Sequence, residues 1–248
     1  IEKCYSLKID LVVIGPEAPL AEGIADKLRE SGINVFGPGA DGAQLEASKS
    51  WAKKLMAEAG IPTAKYWEVH SEDQALSILE EVKRPLVVKA DGLASGKGVS
   101  VCISIEEALK NTKAILEGKF KSSSKVVLEE FLEGEELSYF TIVDEDSYLF
   151  FGSAQDHKRV GEGDTGKNTG GMGAYSPSRL NNSNLEKKIN EKIIEPTLKG
   201  LKELNSKYIG FLYVGLMIIE NEGEGPILHF HVCRPSNRLF LPDLFFVQ

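Results

Sequence analysis

Apolar positions along this chain follow two rhythms, and their order predicts an α/β protein. An unbroken run, Leu11 to Ile14, is followed by a Gly-Pro turn and then by a segment with helical spacing that Gly32 closes. "INVFGPG" supplies a second short strand, so the first part reads as a β-α-β piece of a doubly wound sheet, where ligands sit beyond the carboxyl ends of strands. Glu17 at this turn either faces a ligand or satisfies free amides at a helix start. Trp51, Leu55 and Met56 mark one face of the next helix, ended by Gly60 and Pro62, and "SEDQALSILEEV" predicts a helix capped by Ser71. Two β-rich runs flank the glycine loop in "RPLVVKADGLASGKGVSVCIS". The helix "SIEEALKNTKAIL", a polar loop "EGKFKSSSK" and a strand "KVVLEEFL" come next. Strands around Ser138 to Val143 and Tyr148 to Gly152, a long glycine loop, a helix from about Asn184 to Leu204 and two strands, "FLYVGLMIIE" and "PILHFHV", complete the pattern, with no internal repeat.

Composition narrows the class. The 248 residues are 42% hydrophobic and 27% charged, the balance of a globular protein with one large domain or two to three lobes. A formal charge of -8 and a pI near 5.2 argue against wholesale nucleic-acid binding, which needs a basic face. Cys4, Cys102 and Cys233 are odd in number and widely spaced, and no apolar run is long enough to span a bilayer, so a reducing, cytoplasmic setting without membrane partners is expected. Ile1 opens the chain in mid-element, which predicts a fragment cut at its N-terminus.

The candidate chemistry begins at "DGLASGKGV". Only three residues separate Gly92 from Gly96, and Gly98 stands where a P-loop has its hydroxyl, so this is not a Walker A motif. The β-branched residues that follow predict instead a hairpin folded over a triphosphate, with bare amides and Lys97 meeting the oxygens. Lys89, ending an apolar strand, requires an anionic partner. In "VVLEEFLEGEELS" a strand stops in paired carboxylates, as a strand end that pairs an adenine edge and holds a ribose would, or as a plain acidic turn would. "QDHKRVGEGDTGKNTGGMGAYSP" places six glycines between Gly161 and Gly173, predicting a long functional loop with many free amides.

Together these stretches resemble the glycinamide ribonucleotide synthetase (phosphoribosylamine-glycine ligase) family of the ATP-grasp superfamily, from about Ile9 to Leu228. "QDHKR" followed by "EGD" and "NTGGMGAY" is the most specific part. The resemblance implies an ATP-grasp fold with a partial N-terminal doubly wound lobe (1–47), a linker helix and lid lobe (48–125), a central lobe (126–228) and a divergent tail (229–248). It implies ATP-dependent ligation of glycine to 5-phosphoribosylamine through a glycyl phosphate in purine synthesis, with Mg2+ or Mn2+. Lys49 and Lys89 match the lysines that hold ATP phosphates, and Gly92, Gly96, Lys97 and Gly98 the mobile loop. Glu129, Glu130, Phe131 and Leu132 match the adenine hinge, and Glu136 the ribose acid. Asp156, His157, Lys158, Arg159 and Asp164, with Asn168, Thr169, Gly170, Gly171, Met172 and Gly173, match the substrate region; Lys97, Arg159 and Asp164 are the implied catalytic groups.

One departure stands against this pattern. The family carries Glu-x-Asn as magnesium ligands on its last strand, and His229 and His231 occupy those positions here. Magnesium takes hard oxygen ligands, whereas imidazole suits zinc, copper or nickel. The readings for "PILHFHVCRPSNR" are a new metal site, a substrate site rebuilt around histidine, or a tail shifted out of the protein's proper frame; loss of likeness after Leu228 favours the last. Two functional alternatives follow, an inactive ATP-binding remnant and another ATP-grasp carboxylate-amine ligase.

Overall fold

Three apolar clusters organise the molecule, each beneath its own small sheet. The computed structural model describes residues 1–83, 85–94, 98–121, 123, 125–163, 165–219 and 227–231. The first unit holds α1 (Glu2–Ser6), β1 (Val12–Val13), α2 (Glu17–Ala21), α3 (Ile24–Glu30) and β2 (Val35–Phe36). β1 and β2 pair in parallel, Val12 opposite Val35, while Leu20, Ala25 and Leu28 of the intervening helices bury against them. Parallel pairing requires such a crossover, so the β-α-β expectation holds.

Next come α4 (Gln44–Ala47), α5 (Lys49–Glu58), β3 (Tyr66–Val69), α6 (Glu72–Val82), β4 (Leu86–Ala90), β5 (Val99–Cys102), α7 (Ile105–Ala114) and β6 (Val126–Glu130). Ser71 caps α6 as expected, its Oγ accepting from the Gln74 amide at 3.3 Å. The strands form an antiparallel sheet in the order β3-β6-β4-β5. Alternation divides it into two faces. Leu86, Val88, Ala90, Val126 and Leu128 bury against Ala75, Leu79 and Ala108 of α6 and α7, and the opposite face carries Lys89 and Glu129.

The third unit contains β7 (Glu135–Asp144), β8 (Ser147–Gly161), β9 (Thr165–Tyr175), α8 (Ser183–Ile189), α9 (Glu195–Glu203), β10 (Ile209–Ile219) and β11 (Ile227–His231), its sheet running β11-β10-β7-β8-β9. Leu137, Tyr139, Leu212, Val214, Leu216 and Phe230 on one face pack with Ile189, Ile193 and Leu201 and with Leu55 and Met56 of α5. Helix α5 thus belongs to the largest core although it precedes the smaller sheet in the chain.

Two expectations are corrected. The glycine-rich stretch after Val160 is not a long loop: β8 and β9 form an antiparallel ladder through it, pairing Gln155 with Tyr175, His157 with Gly173 and Arg159 with Asn168. Glycine weakens a strand without forbidding it, and the irregularities flanking Arg159 take up the residues that do not match in number. The helix expected from Asn184 to Leu204 contains a wider π turn at Asn190–Ile194. Pro196 supplies the reason, because it cannot donate to the carbonyl four residues back and its ring crowds that carbonyl.

Gly134, between β6 and β7, lies so close to β10 that an added Cβ would stand 2.4 Å from the Ile218 carbonyl oxygen. Backbone on the far side cannot retreat cheaply. Gly134→Ala is expected to lower unfolding stability by about 1–3 kcal/mol, measured by urea denaturation.

Candidate active site

The polar face of the second sheet is built around one carboxylate. Glu129 stands opposite Val87 on the neighbouring strand, which puts Lys89, two residues on, diagonally across the same face. Lys89 Nζ lies 2.8 Å from Glu129 Oε2, and Lys53 Nζ, from α5, lies 3.2 Å from the same oxygen. The three side chains are 4%, 0% and 1% exposed, so this is a buried cluster with two cations on one anion. Lys53 also donates to Thr63 Oγ1 at 2.7 Å and to the Ala64 carbonyl at 3.4 Å, and stands 5.6 Å from the centre of the Tyr66 ring. Burial pulls the Lys53 ammonium down to about 8; Glu129 opposes the shift and Lys89 adds to it.

A second node holds the start of the glycine hairpin against α5. Asp91 Oδ1 accepts the Ser50 amide at 2.7 Å, a free donor of the helix's first turn, while the Trp51 amide donates to Ser48 Oγ at 3.2 Å. Lys49 Nζ donates to the carbonyls of Asp91 and Gly92, at 3.3 and 3.2 Å. Lys125 reaches the same place, donating to Ser50 Oγ at 3.0 Å and to Glu68 at 3.1 Å. At the closing end of the hairpin Gly98 packs directly on Ala90 and Ala94, where a Cβ would come within 2.7 Å of the latter, so no hydroxyl-bearing side chain fits. Gly96, Lys97 and Asp164 lie outside the described residues.

The third sheet contributes the remaining groups. Across β11, β10 and β7 the residues His229, Met217 and Glu136 stand in one cross-strand row, and His231 pairs with Gly215, which pairs with Ser138. Glu136 is exposed and His229 half-buried. The outer edge of β11 is covered by the segment before β3: the Phe230 amide donates to the Pro62 carbonyl at 2.9 Å, and Thr63 Oγ1 donates to the Phe230 carbonyl at 2.8 Å. Thr63 therefore links the Lys53 cluster to the strand that carries both histidines. Of the hinge residues, Glu130 and Phe131 use their amides on the carbonyls of Lys65 and Pro85, and Leu132 is half-buried. Asp156 is buried on β8, and His157 beside it is exposed and stacked on Tyr175 with ring centres 6.0 Å apart. On β9, Thr169 Oγ1 accepts the Gly171 amide at 3.1 Å, Met172 is exposed, and Gly173 pairs with His157. The side chains of Lys158, Arg159, Asn168 and His231 lie outside what the structure describes, and Gly170 lies on β9.

Comparison with known families and structures decides the family. Residues 47–236 match the ATP-grasp (A) domain of phosphoribosylglycinamide synthetase and residues 1–46 match its N domain. The chain belongs to the phosphoribosylglycinamide synthetase family. Phosphoribosylamine–glycine ligases from Brucella melitensis and Escherichia coli K12 are 48% and 46% identical to it, over 89% and 92% of its length. The chloroplastic ligase of Arabidopsis thaliana is 47% identical over 94%. The chain spans about half of these relatives, 51%, 53% and 44% of their lengths. The crystal structure of the Thermotoga maritima ligase superposes with a TM-score of 0.78 at 33% identity, covering 94% of this chain and 58% of that one. A biotin carboxylase domain from Hydrogenobacter thermophilus, with a TM-score of 0.70 at 20% identity over 96% of this chain and half of that one, shares the fold alone. The match to the ATP-grasp domain runs past Leu228, where the likeness was expected to end.

Magnesium or manganese is the metal of ATP-grasp enzymes, and the residues on β11 do not fit it. Positions 229 and 231 are histidines, whose donors are nitrogen where such ions take oxygen, and among the described residues no group of three His, Cys, Asp or Glu side chains could hold a metal ion. Lys53, Asp91, Lys125 and Thr63 escaped the sequence reading. A lysine four residues after Lys49 was the one available signal, because that spacing returns to the same helix face.

Removing the carboxylate leaves two buried ammonium groups uncompensated, so Glu129→Gln is expected to cost about 3–5 kcal/mol in chemical denaturation. The pH dependence has a definite sign. Lys53 titrates near 8 when folded and near 10.5 when unfolded, so between those values the unfolded chain binds more protons and stability rises with pH. Relative to Lys53→Met, the unmodified protein is expected to gain stability from pH 8 to 10.5, as measured by parallel urea titrations.

Proposed function

We propose that this chain binds ATP between its two larger sheets and serves the ligation of glycine to 5-phosphoribosylamine. The observation that carries this reading is the 45–48% identity to phosphoribosylamine–glycine ligases along some nine-tenths of the chain. In the proposed reaction the glycine carboxylate attacks the γ-phosphorus of ATP, ADP leaves, and glycyl phosphate forms. The amine of phosphoribosylamine then attacks the acyl carbon, phosphate departs with the bonding pair, and the ammonium proton is lost to give glycinamide ribonucleotide. Such chemistry asks for positioning and for cancellation of phosphate charge rather than for a protein nucleophile.

Within this reading Lys49, Lys89 and Lys97 address the phosphates, the hinge Glu129 to Leu132 the adenine edge and Glu136 the ribose. Asp156 to Arg159, Asp164 and the β9 segment from Asn168 to Gly173 address glycine and phosphoribosylamine. The lobes divide at residues 47, 125 and 228. Support comes from the placement of Lys89 beside Glu129 on a polar sheet face and of the exposed Glu136 in a cross-strand row with Met217.

The imidazoles on β11 favour a second reading, in which the chain holds nucleotide without turning it over. ADP release measured with ATP, magnesium, glycine and freshly generated phosphoribosylamine, each omitted in turn, separates the two. Ligation predicts release that needs both co-substrates; the second reading predicts ATP binding with no such release. Restoring oxygen donors with His229→Glu and His231→Asn together is expected to raise the release rate at least about tenfold, since a metal ion supplies several kcal/mol of transition-state stabilisation.

A further inference from the structure

Two ammonium groups on one carboxylate oxygen leave the Lys53–Glu129–Lys89 cluster with a net positive charge in a water-excluded place. Paired with Glu129 alone, Lys89 would form a neutral couple and offer an approaching anion little net field. Lys53 changes that balance from behind. Its side chain is fully buried, its ammonium is held by Thr63 Oγ1 at 2.7 Å and by the Ala64 carbonyl, and its third neighbour is Glu129 Oε2 at 3.2 Å. With its own titration near 8, it is protonated at neutral pH. Among the described residues its ammonium shows no exposed surface through which it would meet a phosphate directly.

We propose that Lys53 is a positioning residue for nucleotide phosphate: by sharing the Glu129 carboxylate it holds that group in place and leaves the charge of Lys89 uncancelled toward the ligand. This rests on the nucleotide reading above and adds a residue to it. The cluster acts through charge, so the effect reaches ligands according to their phosphates. Adenosine meets the same hinge and the same sheet face but carries no anion for Lys89 to feel.

The test compares ADP with adenosine, without added metal, by isothermal titration calorimetry at pH 7. Three proteins are used: the unmodified chain, Lys53→Met, and Lys53→Gln. The glutamine variant keeps a donor for Thr63 and Glu129 while losing the charge, so it decides the matter if the methionine variant does not fold; circular dichroism establishes which variants are folded. The expected result is ADP binding weakened at least about tenfold, equivalent to about 1.4 kcal/mol, with adenosine changed by less than about twofold. Equal weakening of both ligands would assign Lys53 a purely structural part and overturn the proposal, as would unchanged ADP affinity in a folded variant. If the unmodified chain binds neither ligand, the nucleotide reading itself falls and this inference falls with it.

Discussion

One oxygen atom, Glu129 Oε2, holds together parts of the chain that are far apart in sequence. Lys53 reaches it from α5, Lys89 from β4, and the carboxylate itself stands on β6. Through Thr63 the same cluster is tied to the backbone of β11, at the far edge of the other large sheet. Burying two cations is costly unless an anion compensates them, so these elements must arrive together for any of the three side chains to be tolerated. The cluster therefore ties the two larger sheets to one another.

Exposed ion pairs elsewhere do much less. Lys54–Glu58, Lys187–Glu191 and Lys199–Glu203 are helical pairs at 3.8–3.9 Å with both partners largely in water, where screening and side-chain entropy leave little net gain. Asp91 is a more consequential carboxylate. It satisfies an amide at the start of α5 and, through its backbone, the Ser123 and Lys125 neighbourhood, so the base of the glycine hairpin is anchored on both sides. Asp91 thus gives the described base of this hairpin contacts to α5 on one side and to the segment before β6 on the other.

The β11 strand sets family membership and local chemistry at odds. Its backbone is paired with β10 and covered by the Pro62–Thr63 segment, while the residues at 229 and 231 are histidines. Main-chain pairing tolerates either kind of side chain at positions 229 and 231, whereas a hard divalent ion does not.

Much of this protein was legible in the order of its residues. Ser71 announced a capped helix, the apolar runs around Lys89 and Val99 announced a hairpin, and the motif from Gln155 to Tyr175 identified the family, because each of these signals is local. The need of Lys89 for an anion was also legible, but the identity of that anion was not. Pairing of Glu129 with both Lys53 and Lys89 depends on strand register and on how α5 docks, which are properties of the assembled chain. The glycine-rich stretch shows the same limit from the other side: its composition reads as loop, and only a partner strand at the right register turns it into a ladder. Local propensity and motif settled which elements and which family; the decision about which charges share one buried oxygen belonged to the tertiary structure, where desolvation makes the choice of partner matter.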